Sequence, residues 1–329
     1  MKLKKICTLV CTMVMCIGVL GGCSTATDSS KIRIGIVQHM EHPALEASKE
    51  GFLEYFKSKG YDETKIEFIV KNAQGDTATD DMIATQFAND NVDLVFAIAT
   101  PAAQSAYKAT KDKKIPVVFT AVTDAKEAGI VLSNEKPGEN VTGVSDAAPL
   151  EQQLKLIRTL LPNAKKIGMI YNTGEVNGKL QVEQVQKLAP SLGFEVVVQG
   201  VAASTEITSA AEQLTGKVDC IYNITDNLIV NGTATIVDKA NNKNIPVFAA
   251  EDGQMAAGLL ASDSLSYKKL GEQAGAQAFE ILINKKNPGE MPVETAKETS
   301  LYINKKVAEK FKITIPDELA KRATFSDAK

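Results

Sequence analysis

The sequence predicts an α/β protein of two similar lobes, each a three-layer unit around a parallel sheet. Short apolar runs alternate with Ala/Lys/Glu-rich stretches of helical period, as parallel strands alternate with crossover helices. The order of these elements repeats once along the chain. About 300 residues beyond the N-terminal leader suffice for two full cores.

The leader comes first. Lys2, Lys4 and Lys5 precede an apolar run from Ile6 to Leu20, which is short for a membrane span and ends in Leu20-Gly21-Gly22-Cys23. Residues 1–22 read as a signal peptide. Small residues before a cysteine look like a lipobox, so Cys23 is the candidate for lipidation; the alternative is a plain secretory peptide with an incidental cysteine. Two acyl chains on a glyceryl group are enough for stable anchoring. Residues 23–30 are small and polar, a flexible tether. Of five cysteines, only Cys220 lies beyond this segment, so neither a disulfide nor a thiolate metal cage is expected. The formal net charge is −3, with no Lys/Arg stripe, which argues against nucleic acid as a partner.

The elements follow in order. Lys31–Val37 is the first strand and 43–58 a helix with Leu45, Phe52, Leu53 and Phe56 on one side. Strand 65–71 and helix 79–89 come next. Leu94–Ala99 is short and wholly apolar, a strand buried on both faces. Thr100 then stands at an N-cap and Pro101 at the first helical position, leaving the amides of Ala102, Ala103 and Gln104 open to an anion. Read alone, this is equally an ordinary capped helix. Strand 115–122 closes the first unit, and right-handed crossovers make its sheet parallel.

Lys165–Tyr171 restarts the pattern. A helix over 177–192, a strand over 194–199 and a helix over 205–214 follow. Val218-Asp219-Cys220-Ile221-Tyr222-Asn223 echoes Val92-Asp93-Leu94-Val95-Phe96-Ala97, and Asn244-Ile245-Pro246-Val247 echoes Lys114-Ile115-Pro116-Val117. The tail departs from the repeat: helix 267–284 is expected to return to the first lobe, and strand 299–304 to cross back to the second, before a short helix over 317–322. This places lobe one at 31–143 plus 264–290 and lobe two at 144–263 plus 291–329. The three crossings make a hinge that permits closure on a ligand.

In open α/β sheets, ligands sit beyond the carboxyl ends of the strands. The candidate binding residues are therefore Gln38 and His42; Thr100, Pro101, Ala102 and Ala103; Thr123 and Asp124; Asp146; Asn172, Thr173, Glu175 and Asn177; Asp226 and Asn227; and Glu251. Thr100 with the Ala102 and Ala103 amides suits a carboxylate. Asp124, Asp146, Asp226, Glu251 and Asp252 are candidates to pair an ammonium. Asp226 is preferred, because its strand echoes that of Thr100 and would face it across the cleft. Each acid is alternatively a solvated loop residue or a helix cap. His39, Glu41 and His42 do not make a metal set. No nucleophile elbow, phosphate loop, paired cysteines or dinucleotide fingerprint occurs, so no enzyme, metal or cofactor is expected.

Five stretches carry a family resemblance: Gly35-Ile36-Val37-Gln38 with Glu41-His42-Pro43-Ala44-Leu45, Ala99-Thr100-Pro101-Ala102-Ala103-Gln104, Thr120-Ala121-Val122-Thr123-Asp124, Asn140-Val141-Thr142-Gly143-Val144-Ser145-Asp146, and Tyr171-Asn172-Thr173-Gly174-Glu175-Val176-Asn177. With these the chain resembles the lipid-anchored substrate-binding proteins of ABC transporters with the type I periplasmic-binding fold, in the branch that includes binders of tryptophan and other aromatic amino acids. Gly174 departs from the serine expected there. The resemblance implies a monomer on the outer face of the cell membrane that passes an aromatic amino acid to an ABC permease and its ATPase. The alternatives are a binder of a sugar or nucleoside-like solute and a ligand-sensing surface receptor.

Overall fold

The computed structural model describes residues 31–296 and 298–326. The signal-peptide and tether assignments and Cys23 lie outside these residues.

In the first lobe the chain runs β1 (Ile32–Gln38), α1 (Pro43–Ser58), β2 (Ile66–Asn72), α2 (Thr77–Asn89), β3 (Leu94–Ile98), α3 (Thr100–Thr110), β4 (Val117–Val122) and β5 (Val141–Ser145). It crosses to the second lobe as α4 (Leu150–Leu160), β6 (Lys166–Asn172), α5 (Val176–Leu188), β7 (Glu195–Val201), α6 (Ile207–Thr215), β8 (Cys220–Asn223), α7 (Asn227–Asn231), α8 (Thr233–Asn241), β9 (Val247–Ala249) and β10 (Ala261–Ser264). It returns as α9 (Tyr267–Leu282) and β11 (Glu294–Thr295), then crosses again to β12 (Ser300–Asn304), α10 (Lys305–Lys310), α11 (Asp317–Arg322) and β13 (Ala323–Ser326).

Two sheets result, ordered β11-β5-β4-β3-β1-β2 and β13-β12-β10-β9-β8-β6-β7. Every pair in the first is parallel; in the second only β10 with β12 is antiparallel. Each sheet carries an apolar cluster on both faces. That is why the central strands are apolar without alternation. The sequence division at 143/144 falls inside β5, all of which pairs in the first sheet, and β11 pairs beside it. The first crossing therefore follows Ser145 and the third follows Thr295. Strand β13 has no counterpart in the sequence reading.

The repeat is physical as well as sequential. Asp93 accepts a hydrogen bond from the Arg33 amide at 2.7 Å, and its own amide donates to the Arg33 carbonyl. Asp219 accepts from the Lys165 and Lys166 amides at 2.6 and 2.8 Å, and its amide donates to the Lys166 carbonyl. One aspartate per lobe thus registers the first strand against the third. Before the Ile-Pro pairs, Lys114 and Asn244 both adopt φ of 55°.

Helix α9 completes the first lobe by packing along α1. The helices approach closely because glycines face backbone: a Cβ on Gly271 would sit 1.9 Å from the Ser48 carbonyl oxygen, and one on Gly51 would sit 2.1 Å from that of Lys268. Gly271→Ala is expected to force the helices apart at a cost of about 1–3 kcal/mol. Its Tm should fall by several degrees in a thermal melt, while Gly216→Ala, with nothing within 4 Å of the added carbon, should leave Tm unchanged. Equal melting of the two variants would show that the helix pair does not depend on this contact.

Candidate functional site

The carboxyl ends of both sheets meet between the lobes. Two strand ends there are strained: Ala99 follows β3 with φ 85° and ψ 157°, and Ala121, near the end of β4, has φ 55°. A side chain in such backbone costs about 1–3 kcal/mol, and strain of this kind clusters at functional sites.

Between the lobes lies a narrow space with a cavity volume of about 10 Å³, bordered from the first lobe by His42, Ala44, Leu45 and Ala121, from the crossings by Asp146 and Tyr267, and from the second lobe by Asn177, Thr225, Asn227, Val230 and Glu251. With the lobes in this arrangement it is about the size of one water molecule, against the roughly 300–1,000 Å³ of ordinary small-molecule pockets, so a ligand enters only as the lobes part. Three open grooves on the outer surfaces are larger, at about 460–620 Å³. None of them is lined by a residue with a buried, unpartnered side-chain atom, whereas the inter-lobe space has three: His42 Nδ1, Asn177 Oδ1 and Glu251 Oε1. Buried polar atoms without partners are rare and call for an explanation.

His42 precedes α1 with extended backbone, φ −156°. Its Nε2–H donates across the lobes to Asn227 Oδ1 at 3.3 Å. Burial holds its pKa down to about 4, so the ring is neutral and Nδ1 is a bare acceptor. Behind Asn227, Glu175 collects five donors: Asn172 Nδ2 (3.1 Å), Asn177 Nδ2 (3.0 Å), the amides of Asn227 and Leu228 (both 3.2 Å) and Asn227 Nδ2 (2.6 Å). It is an organiser of the second-lobe rim, with its carboxylate fully engaged.

Asp146 lies on the first crossing and accepts from Thr123 Oγ1 at 3.2 Å and from the Tyr267 hydroxyl, at the start of α9, at 2.6 Å. Gln181 on α5 donates to Thr123 Oγ1 at 3.3 Å and bonds to Thr225, which ties the lobes together. Burial raises the Asp146 carboxyl. Glu251 accepts from the Gly253 amide at 2.7 Å; burial first, then the neighbouring Asp252, raise its pKa to about 8. A Cβ on Gly253 would lie 3.2 Å from the Ala44 nitrogen, so the second lobe closes tightly against the N-terminus of α1.

The structure brings His42, Asp146, Asn177, Asn227 and Glu251 to one space, with Thr123 tied directly to Asp146. The other sequence candidates stand differently. Asp226 is buried, but Oδ2 accepts from the Asn172 amide at 2.6 Å and Oδ1 from the Ile229 amide at 3.2 Å, so it caps α7 and braces β6 instead of facing the cavity. Burial, and then the charge of Glu175, push its pKa up. Asp124 caps a turn through the Lys126 and Glu127 amides. Thr173 is exposed, and Asn172 shapes its turn by accepting from the Gly174 amide. Gln38 donates to Met40 O and Glu46.

The anion seat expected at α3 is altered. Ala99, not Thr100, is the N-cap, and the Ala103 amide donates to the Ala99 carbonyl at 3.0 Å. Ala102 and Ala103 pack in the core, and Thr100 and Pro101, though buried, do not border the cavity. The helix start that borders it is that of α1, at Ala44 and Leu45, whose first-turn amides have no intrahelical partner. Tyr267 and Gln181 carry no signal in the sequence that marks them for the site, because neither stands at a strand's carboxyl end. Among the described residues no cluster of three His, Cys, Asp or Glu could hold a metal, and no helix is long and apolar enough to cross a membrane.

Two α/β lobes joined by three crossings around a polar inter-lobe space define a solute-binding protein of the periplasmic type. Residues 33–326 match the family described as ABC transporter substrate binding protein, and the chain belongs to it. It is 45% identical over 318 residues to the tyrosine-binding protein of Clostridioides difficile strain R20291, covering 92% of this chain and 91% of that one. A Streptococcus pneumonia ABC domain in complex with L-Trp superposes with a TM-score of 0.87 at 35% identity, covering 90% and 99% of the two chains. A ligand-free, open substrate binding protein from Clostridium difficile, with adhesive properties, scores 0.70 at 40% identity, again covering 90% and 99%. The better fit to the less similar sequence places the lobes here nearer the arrangement of the ligand complex.

The two titrating groups pull in opposite directions with pH. His42, with its pKa depressed from 6.5 to about 4, contributes stability that is complete above pH 6.5 and is lost as pH falls toward 4. Glu251, raised from 4.5 to about 8, contributes stability that is complete below pH 4.5 and is lost as pH rises through 8. His42→Gln is therefore expected to flatten the fall in Tm between pH 6.5 and 4 and to leave the alkaline limb alone. Superimposable acid limbs would show that the imidazole titrates as if hydrated.

Proposed function

We propose that this protein captures a free aromatic amino acid in the inter-lobe space and presents it to an ABC permease, acting as a carrier and not as an enzyme. It works from the outer face of the membrane, held by a diacylglyceryl group on Cys23. The observation that carries the reading is the inter-lobe space itself, with buried acids, with the unpartnered Asn177 Oδ1 and Glu251 Oε1 on the second-lobe side, and with the N-terminus of α1 and the unpartnered His42 Nδ1 on the other. The relatives that bind tyrosine and L-Trp support the aromatic class.

In this reading the ligand ammonium lies against Glu251, Asp146 and Asn177 Oδ1, where it supplies the buried carboxylates with their missing charge. The ligand carboxylate takes the Ala44 and Leu45 amides, favoured by the dipole of the 16-residue α1. The ring lies against Leu45, Ala121 and Val230, which are the apolar parts of the wall. Contacts made from both lobes exist only when they are closed, so binding shifts the population toward closure.

Calorimetry and thermal shift against tyrosine, tryptophan, phenylalanine, sugars and nucleosides test the reading. Stabilisation by an aromatic amino acid should grow with its free concentration as RT ln(1 + [L]/Kd). A clear shift with a sugar and none with any amino acid would overturn the ligand class. Gln181→Leu removes the Thr123 contact that exists only between closed lobes; it is expected to raise Kd about tenfold through faster dissociation, with kon little changed. An unaltered koff in stopped-flow release would remove Gln181 from the closure mechanism.

A further inference from the structure

The chemistry of the closed space is lopsided. Its three unpartnered side-chain atoms, His42 Nδ1, Asn177 Oδ1 and Glu251 Oε1, are all acceptors, and their residues are at most 7% exposed. Most of the side-chain donors beside them are committed, the Thr225 hydroxyl, which accepts from Gln181, being an exception. Asn177 Nδ2 serves Glu175 and the Thr225 carbonyl, Asn227 Nδ2 serves Glu175, and the Tyr267 hydroxyl serves Asp146. Asp146 and Glu251 border the space, Glu175 and Asp226 stand directly behind it, and no lysine or arginine borders it. A ligand carboxylate meets only neutral donors, the α1 amides and the Thr225 hydroxyl, whereas a ligand ammonium meets unpartnered acceptors and buried acids that it would hold in the charged form. Removing one group from the ligand is therefore unlike removing the other.

We infer that the ammonium is the obligatory recognition element of this cleft and the α-carboxylate a dispensable one, so that the binding site also accepts primary aromatic amines, the decarboxylated counterparts of aromatic amino acids. The inference rests on the amino-acid reading above and extends its ligand class. An added monocation balances the buried acids better than a zwitterion does, and this offsets the hydrogen bonds that an amine cannot make to the α1 amides. An acid lacking the amine brings another anion into a space already rich in carboxylates and leaves Glu251 Oε1 and Asn177 Oδ1 without donors.

Matched ligands separate these terms. Isothermal titration would compare tyrosine with tyramine and 3-(4-hydroxyphenyl)propionate, and tryptophan with tryptamine and indole-3-propionate. Each amine is expected to bind within about tenfold of its amino acid. Each deaminated acid should bind at least a hundredfold more weakly than its amine. An acid that binds as well as its amine, or an amine that fails where its amino acid binds, overturns the inference and leaves the amino-acid reading standing. Amines that bind where amino acids fail would instead overturn the amino-acid reading and uphold the ammonium requirement, and silence from all six ligands removes both. Glu251→Gln keeps the side chain's shape and removes the acid that can ionise to pair an ammonium. It is expected to weaken the amine more than tenfold and shrink the amine-to-acid ratio, which loss of folding, checked by circular dichroism, would not reproduce. An unchanged ratio in a folded variant overturns the role of Glu251.

Discussion

Four carboxylates leave bulk water where the lobes meet, and the way each is compensated governs the rest of the site. Glu175 is satisfied by five donors from its own lobe, and Asp226 by two backbone amides. Asp146 has a tyrosine and a threonine hydroxyl, and Glu251 has one backbone amide and one oxygen without a partner. A buried acid with neutral donors is tolerable, and one with a bare oxygen is not, unless a proton or a cation arrives. The gradient from Glu175 to Glu251 therefore separates an acid whose oxygens are fully engaged in building the rim from one with acceptor capacity to spare. The tilt toward protonation at Glu251 expresses the same deficit.

Much of the architecture could be read from residue pattern, because the forces that set it are local. Apolar runs such as Leu94–Ile98 and Ile167–Ile170 are strands for reasons internal to a few residues, and the Val-Asp and Ile-Pro echoes exposed the duplication before any contact was known. The aspartates in those echoes hold the same backbone registration in both lobes. The return of α9 to the first lobe was legible because the tail broke the repeat. The β13 pairing was not: Ala323–Ser326 has little apolar character of its own and is a strand only because β12 offers it an edge.

The site was legible in outline and not in its assignments. Loops at the carboxyl ends of strands did converge, as parallel topology requires. Which acid faces the cavity depends on which amides lie nearby, and sequence spacing does not show that. Asp226 has the composition of a ligand acid, yet the start of α7 uses it as a cap. Thr100-Pro101 has the form of an anion seat, yet the left-handed turn at Ala99 moves the cap back by one residue and spends the Ala103 amide. Asp146 and Tyr267 stand 121 residues apart in the chain, so only the folded crossings could reveal that they form one unit.

The seam between α1 and α9 has a consequence for how the polypeptide acquires its shape. The glycine-lined contact joins residues 48 and 51 to residues 271 and 268, so most of the second lobe, from α4 to β10, is inserted within the first. The second sheet in turn waits for β12, at residues 300–304, to cover the edge of β10. Neither half is finished until nearly the whole polypeptide is present, and sheet edges stay open in the meantime. Completion of both sheets is therefore a late event, and truncation near the C-terminus strips β12 and β13 from the second sheet while leaving the strands of the first in place.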